Sequence, residues 1–149
     1  MPAPGIWGPR LWEVLHKIGY HYENTSPATE ILRRDARREL DWIINHLDTI
    51  VPCPECRHHI ESHIKRYPIV SEKNIGRWIW NLHESVNEQL GKPKGPSYEE
   101  IVISKGNLHS LWKEYASSIY ESVQMGNLPG KNLSEYARHL FLWKGFLGF

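Results

Sequence analysis

The sequence predicts an all-α protein, and three observations carry that reading. Apolar residues recur every three or four positions in successive windows, no segment keeps the period-two alternation of a half-buried strand, and breaks rich in Pro, Gly or Asn separate the windows. A chain of 149 residues can bury one proper core, so a single domain is expected. The expected architecture is a four-helix bundle with additions.

The first helix is expected over residues 7–22, where Trp7, Leu11, Trp12, Leu15 and Ile18 make an apolar stripe and Pro9 is placed in the first turn. After the break ENTSPA, Ser26 or Thr29 caps a second helix. Its buried stripe is Ile31, Leu32, Ala36, Leu40, Ile43, Ile44 and Leu47, and RRDARRE faces water. Pro52 and Pro54 flank Cys53 and start a third helix, which Pro68 stops after Tyr67. A fourth helix over residues 72–90 carries Ile75, Trp78, Ile79, Leu82, Val86 and Leu90, and Gly91 with Pro93 ends it. A short element is expected near Tyr98. Beyond Gly106, Leu108, Leu111, Trp112, Tyr115, Ile119 and Val123 form another helical stripe, and NLPGKN separates it from a last helix with Tyr136, Leu140 and Trp143.

Composition narrows the function classes. Eighteen basic and seventeen acidic residues give a formal charge of +1, which supplies no footprint for nucleic acid or an anionic membrane. No window approaches the roughly 18 apolar residues of a membrane span, and the start lacks the pattern of a secretory leader. A soluble, unexported chain is the expectation. Seven Trp and seven Tyr suit either a core or the walls of a site for a planar cofactor.

The only two cysteines stand in IVPCPECRHHIESHI, with His58, His59 and His63 close behind. Three readings are open. Zinc would use Cys53, Cys56, His59 and His63, but ligands strung along one helix spread over about 15 Å, so others such as His83 or His109 would be needed. Buried inert thiols are a second reading, opposed by the Pro and charged neighbours. Redox chemistry is the third. A sulfur near a helix N-terminus has its pKa lowered from about 8.5, and CxxC lets one sulfur exchange while the other resolves. An oxidase also needs an electron sink, and with no further cysteine that sink must be a cofactor.

WGPRLWEVLH at residues 7–16, PCPEC at 52–56 and WIWNLHESVNEQLGKP at 78–93 resemble, in order and separation, the signatures of the Erv/ALR family of FAD-dependent sulfhydryl oxidases. The resemblance covers roughly residues 6–100. It implies a four-helix bundle with a short fifth helix, holding FAD. Cys56 would lie against the flavin, and Cys53 would receive electrons from a partner dithiol. Trp12, His16 and Tyr20 on helix one line the implied flavin site, with Gly8 in the same motif. His83 and Asn87 reach the adenine end, Lys92 the polar part, and Trp78, Val86 and Leu90 complete the fourth-helix wall. His59, one turn after Cys56, is a candidate to tune its sulfur.

The family pattern is also departed from. Glu84 stands where the motif usually has Asn, Pro9 displaces an Arg that Arg10 would have to replace, and the usual second disulfide and shuttle cysteines are absent. That reduced form resembles the small oxidases of large cytoplasmic DNA viruses, implying action in the host cytoplasm. The expected activity passes electrons from a dithiol protein, thioredoxin-like or a small CxxC protein, through Cys53 and Cys56 to FAD and oxygen, releasing hydrogen peroxide. The rivals are a zinc-stabilised helical interaction module and a cofactor-free scaffold.

Residues 1–105 are expected to form the oxidase domain, with 106–149 an extension packed on it or on a partner. A homodimer is expected. Deletion after Gly106 is expected to cost stability or dimerisation more than flavin chemistry.

Overall fold

The computed structural model describes residues 4–149, and among these the only regular elements are helices. Seven α-helices follow in order: α1 (Pro4–Asn24), α2 (Glu30–Asn45), α3 (Pro54–Arg66), α4 (Ile75–Gln89), α5 (Leu108–Ser118), α6 (Tyr120–Gln124) and α7 (Gly130–Leu147). Short 3-10 turns at Leu47–Ile50, Ile69–Ser71 and Tyr98–Glu100 join them. The fold class read from the sequence is the one observed.

Helix α1 begins three residues before the expected start, so Pro9 lies inside it rather than in its first turn. Thr29 caps α2 by accepting the N–H of Leu32, and Asn74 caps α4 by accepting that of Arg77. Glu23 reaches across from the end of α1 to accept the N–H of Ile75 at 2.8 Å. Two orphan donors at the start of α4 are therefore satisfied by side chains.

The core is built from Leu11, Val14, Leu15 and Ile18 of α1, Leu40, Ile43 and Ile44 of α2, and Ile75, Ile79 and Leu82 of α4, all buried. Two expectations for α2 need correction. Ile31 is 68% exposed because it lies in the first turn, beyond the reach of the core. Within RRDARRE, Arg37 is drawn inward: its guanidinium donates to Asp41, to Tyr22 and to the carbonyls of Ile69 and Glu72.

Helix α1 crosses α4 closely at a pair of glycines. A Cβ on Gly19 would stand 2.9 Å from the Gly76 Cα, so only the bare backbone permits this approach. The crossing fixes the two helices that carry most of the expected site.

The last third of the chain packs on the same chain, α5 on α1 and α7 on α2. Leu108, Leu111, Trp112, Tyr115, Ile119, Tyr136, Leu140 and Trp143 are buried there. The apolar stripes that suggested a second copy are thus covered without one.

Candidate functional site

Cys53 is the N-cap of α3 and Pro54 opens its first turn. The Cys53 Sγ accepts the backbone N–H of Cys56 at 3.3 Å, so one of the helix's unpaired donors points at that sulfur. Cys53 is half-buried and Cys56 is buried, and both are free thiols. Burial, followed by the hydrogen bond to Cys53 and its charge, pushes the Cys56 thiol up to about 12. At Cys56, desolvation outweighs the helix dipole.

Cys56 lies in the wall of an apolar cleft of about 350 Å³ between α1, α3 and α4. Of the residues singled out in the sequence, Gly8, Trp12 and His16 of α1 and His83, Val86, Asn87, Leu90 and Lys92 of α4 and its end line the same cleft. Trp12 stacks on His83 with ring centroids 4.0 Å apart and planes 9° from parallel. The His16 Nε2 and His83 Nδ1 are hydrogen-bonded at 2.9 Å. Burial lowers both histidines to about 4, and at His83 the charges of His16 and Lys92 add to it. At neutral pH both rings are uncharged, and one donates to the other.

A larger, more polar cleft of about 840 Å³ adjoins it. His59 and Trp78 line this one, together with Arg66, Tyr67, Glu84, Glu88 and Lys94. Asn87 and Lys92 line both clefts and mark where they meet. Lys92 is put there by the end of α4: Gly91 takes a φ of +70°, its N–H bonds to the Glu88 carbonyl, and the Lys92 N–H bonds to that of Asn87. This is the left-handed glycine stop that turns the chain back over its own last turn.

Three expected positions lie elsewhere than the sequence suggested. Tyr20 is 47% exposed and lines neither cleft. Each four-residue step overshoots a full helical turn by about 40°, and two such steps carry it away from Trp12. His59 hydrogen-bonds Ser85 at 2.9 Å rather than reaching Cys56. Arg10 pairs with Glu114 of α5 at 3.4 Å, outside both clefts. Trp7, Ile60 and Val102 also line the apolar cleft. Trp7 reads as a core residue of the first apolar stripe in the sequence, and Ile60 and Val102 are not singled out there as site residues.

The zinc arrangement finds no support in the geometry. Among the described residues, no three His, Cys, Asp or Glu side chains converge as metal ligands. His63 packs edge-on against Trp78, and His83 is engaged by His16.

The profile of the Erv1/Alr family matches residues 9–105, about two-thirds of the chain, and takes in Trp12, His16, Cys53, Cys56 and the α4 residues of the apolar cleft. The chain belongs to the Erv1/Alr family. Among named relatives, the "FAD-linked sulfhydryl oxidase" of African swine fever virus (isolate Tick/Malawi/Lil 20-1/1983) is 28% identical over 117 residues, covering 77% of this chain and 80% of the viral protein. A rice "FAD-linked sulfhydryl oxidase ERV1" is 36% identical over 91 residues, 60% of this chain and 44% of the plant protein. A putative FAD-linked sulfhydryl oxidase of invertebrate iridescent virus 3 is 28% identical over 95 residues, 61% of this chain and 60% of its own length. No solved structure matches significantly. This Erv1/Alr member is therefore similar to viral and plant proteins, and its likeness to the swine fever virus protein is too long to fit before residue 106.

Proposed function

We propose that this Erv1/Alr protein is an FAD-linked sulfhydryl oxidase that forms disulfides in a partner dithiol protein. The single observation that carries the reading is the placement of Cys56, and not Cys53, in the wall of the cleft lined by Trp12, His16 and His83.

The residues present fit the cofactor. Trp12, His16, His83, Val86 and Leu90 would hold a flat ring beside Cys56, and Lys92, Arg66 and Lys94 would meet the negative charge of a diphosphate. When bound, FAD accepts two electrons from the cysteine pair and passes them to oxygen as hydrogen peroxide. The protein's own part starts from the Cys53–Cys56 disulfide. A partner thiolate attacks the half-buried Cys53 Sγ, forming a mixed disulfide as Cys56 leaves with the bonding electron pair. The partner's second thiolate then attacks its own mixed-disulfide sulfur and releases Cys53, so the partner is oxidised and the pair reduced by two electrons. In the reduced pair the Cys56 N–H is directed at the Cys53 sulfur.

Action in the host cytoplasm and a thioredoxin-like or small CxxC partner belong to the same proposal, supported by the likeness to the viral relatives. So do a homodimer and the division into a domain of residues 1–105 and an extension, the latter supported by the family match ending at residue 105. The test of the activity is oxygen uptake and peroxide release on adding dithiothreitol to the purified protein. One peroxide per dithiol oxidised is expected, and no oxygen uptake by a folded, flavin-loaded sample would refute the reading.

A further inference from the structure

The segment that delivers Cys53 is held by residues outside the family match. Between α2 and α3 the chain runs through the 3-10 turn Leu47–Ile50, then Val51 and Pro52, to Cys53. Turns of this kind leave carbonyls without partners inside the element. Here the donors come from the C-terminal third. The Tyr115 hydroxyl of α5 donates to the Ile50 carbonyl at 2.5 Å, and the Asn132 Nδ2 of α7 donates to that of Thr49 at 3.0 Å.

Tyr115 has no solvent exposure. Its ring meets the edge of Trp7, centroids 6.5 Å apart, and Trp7 lines the cleft that contains Cys56. What is fixed at Ile50 is passed on stiffly, because Val51 and Pro52 are buried and Pro52 has a locked φ.

We propose that Tyr115 and Asn132 are positioning residues for the redox pair: by holding the Ile50 and Thr49 carbonyls they set where Cys53 stands at the start of α3. The proposal rests on Cys53–Cys56 being the reactive pair. It makes the extension a supporting wall of the site, a role beyond the stability or dimerisation expected to dominate on its deletion.

The test is the alkylation rate of Cys53 in the reduced, purified protein, read by peptide mass spectrometry, for Tyr115→Phe and Asn132→Ala. Tyr136→Phe is the control. Its hydroxyl is equally buried and donates to the Ile43 carbonyl at 2.9 Å, but that carbonyl lies within α2, before the turn begins at Leu47. If the Cys53 sulfur is displaced from the Cys56 N–H, its reactive form is less favoured, so Tyr115→Phe and Asn132→Ala should each slow alkylation about threefold or more. Tyr136→Phe should leave the rate unchanged. An unchanged rate in folded Tyr115→Phe or Asn132→Ala, or equal slowing in Tyr136→Phe, would overturn the proposal. Should Tyr115→Phe fail to fold, Asn132→Ala against the control decides alone. The readout needs no turnover, so absent oxidase activity would sink the functional reading while leaving this result legible.

Discussion

The Nε2 of His16 and the Nδ1 of His83 stand 2.9 Å apart across the α1–α4 crossing, with Trp12 stacked on the second ring. Both rings are held near a pKa of about 4 by burial, below the usual 6.5. The unfolded chain therefore binds protons between about pH 6.5 and 4 that the folded chain refuses, so stability falls as pH falls through that window. His16 alone accounts for about 3 kcal/mol at most, and His83, partly reached by solvent, for less. Melting temperature followed from pH 7 to 4 should drop, and His16→Gln should flatten the drop. An equally steep profile in the variant would place the cause elsewhere.

Because Cys56 lines the cleft and Cys53 does not, serine variants of the two should differ in colour. Cys53→Ser leaves the Cys56 sulfur beside the flavin site and should show a long-wavelength absorbance band that grows as alkaline pH ionises the buried Cys56 thiol. Cys56→Ser should lack it, and both should lose turnover. The band in the Cys56 variant would reverse the roles.

Arg37 ties α2 to the turn after α3 through the Ile69 and Glu72 carbonyls at 2.7 and 2.8 Å. Arg37→Met should destabilise by about 2–3 kcal/mol, as expected when charge-assisted hydrogen bonds to partly buried carbonyls are lost. Arg37→Lys should recover only part, since an ammonium lacks the planar fork. Urea denaturation midpoints give both numbers.

Gly19→Ala puts a methyl against the Gly76 backbone at 2.9 Å, where nothing flexible can give way. The expected cost is about 1–3 kcal/mol, with weaker flavin retention because α1 and α4 carry opposite walls of the cleft. Full stability and full flavin content in this variant would show that the helices part without consequence.

Much of this was legible in the sequence. The helices announced themselves by period, caps and proline stops, and His83, Val86, Asn87 and Leu90 fall on one face by spacing alone. Pairings between elements were not legible. His16 and His83 each read as one helix's residue, and only the Gly19–Gly76 approach makes them partners. Arg37 sits in a run of charges that looks solvated, and the carbonyls that draw it inward come from a turn some thirty residues on. Tyr115 reads as one more apolar position in a stripe. The stripe says that α5 must be covered, but not that its hydroxyl will meet Ile50.

The central claim is that electrons from a dithiol reach a bound flavin through Cys56. Its most direct measurement is the flavin absorbance of the purified protein during anaerobic addition of dithiothreitol, run beside Cys56→Ser. The account predicts a yellow protein with one FAD per chain that bleaches on reduction, and a yellow Cys56→Ser protein that does not. A colourless, folded protein carrying stoichiometric zinc, or a Cys56→Ser variant that bleaches as fast as its parent, would contradict it.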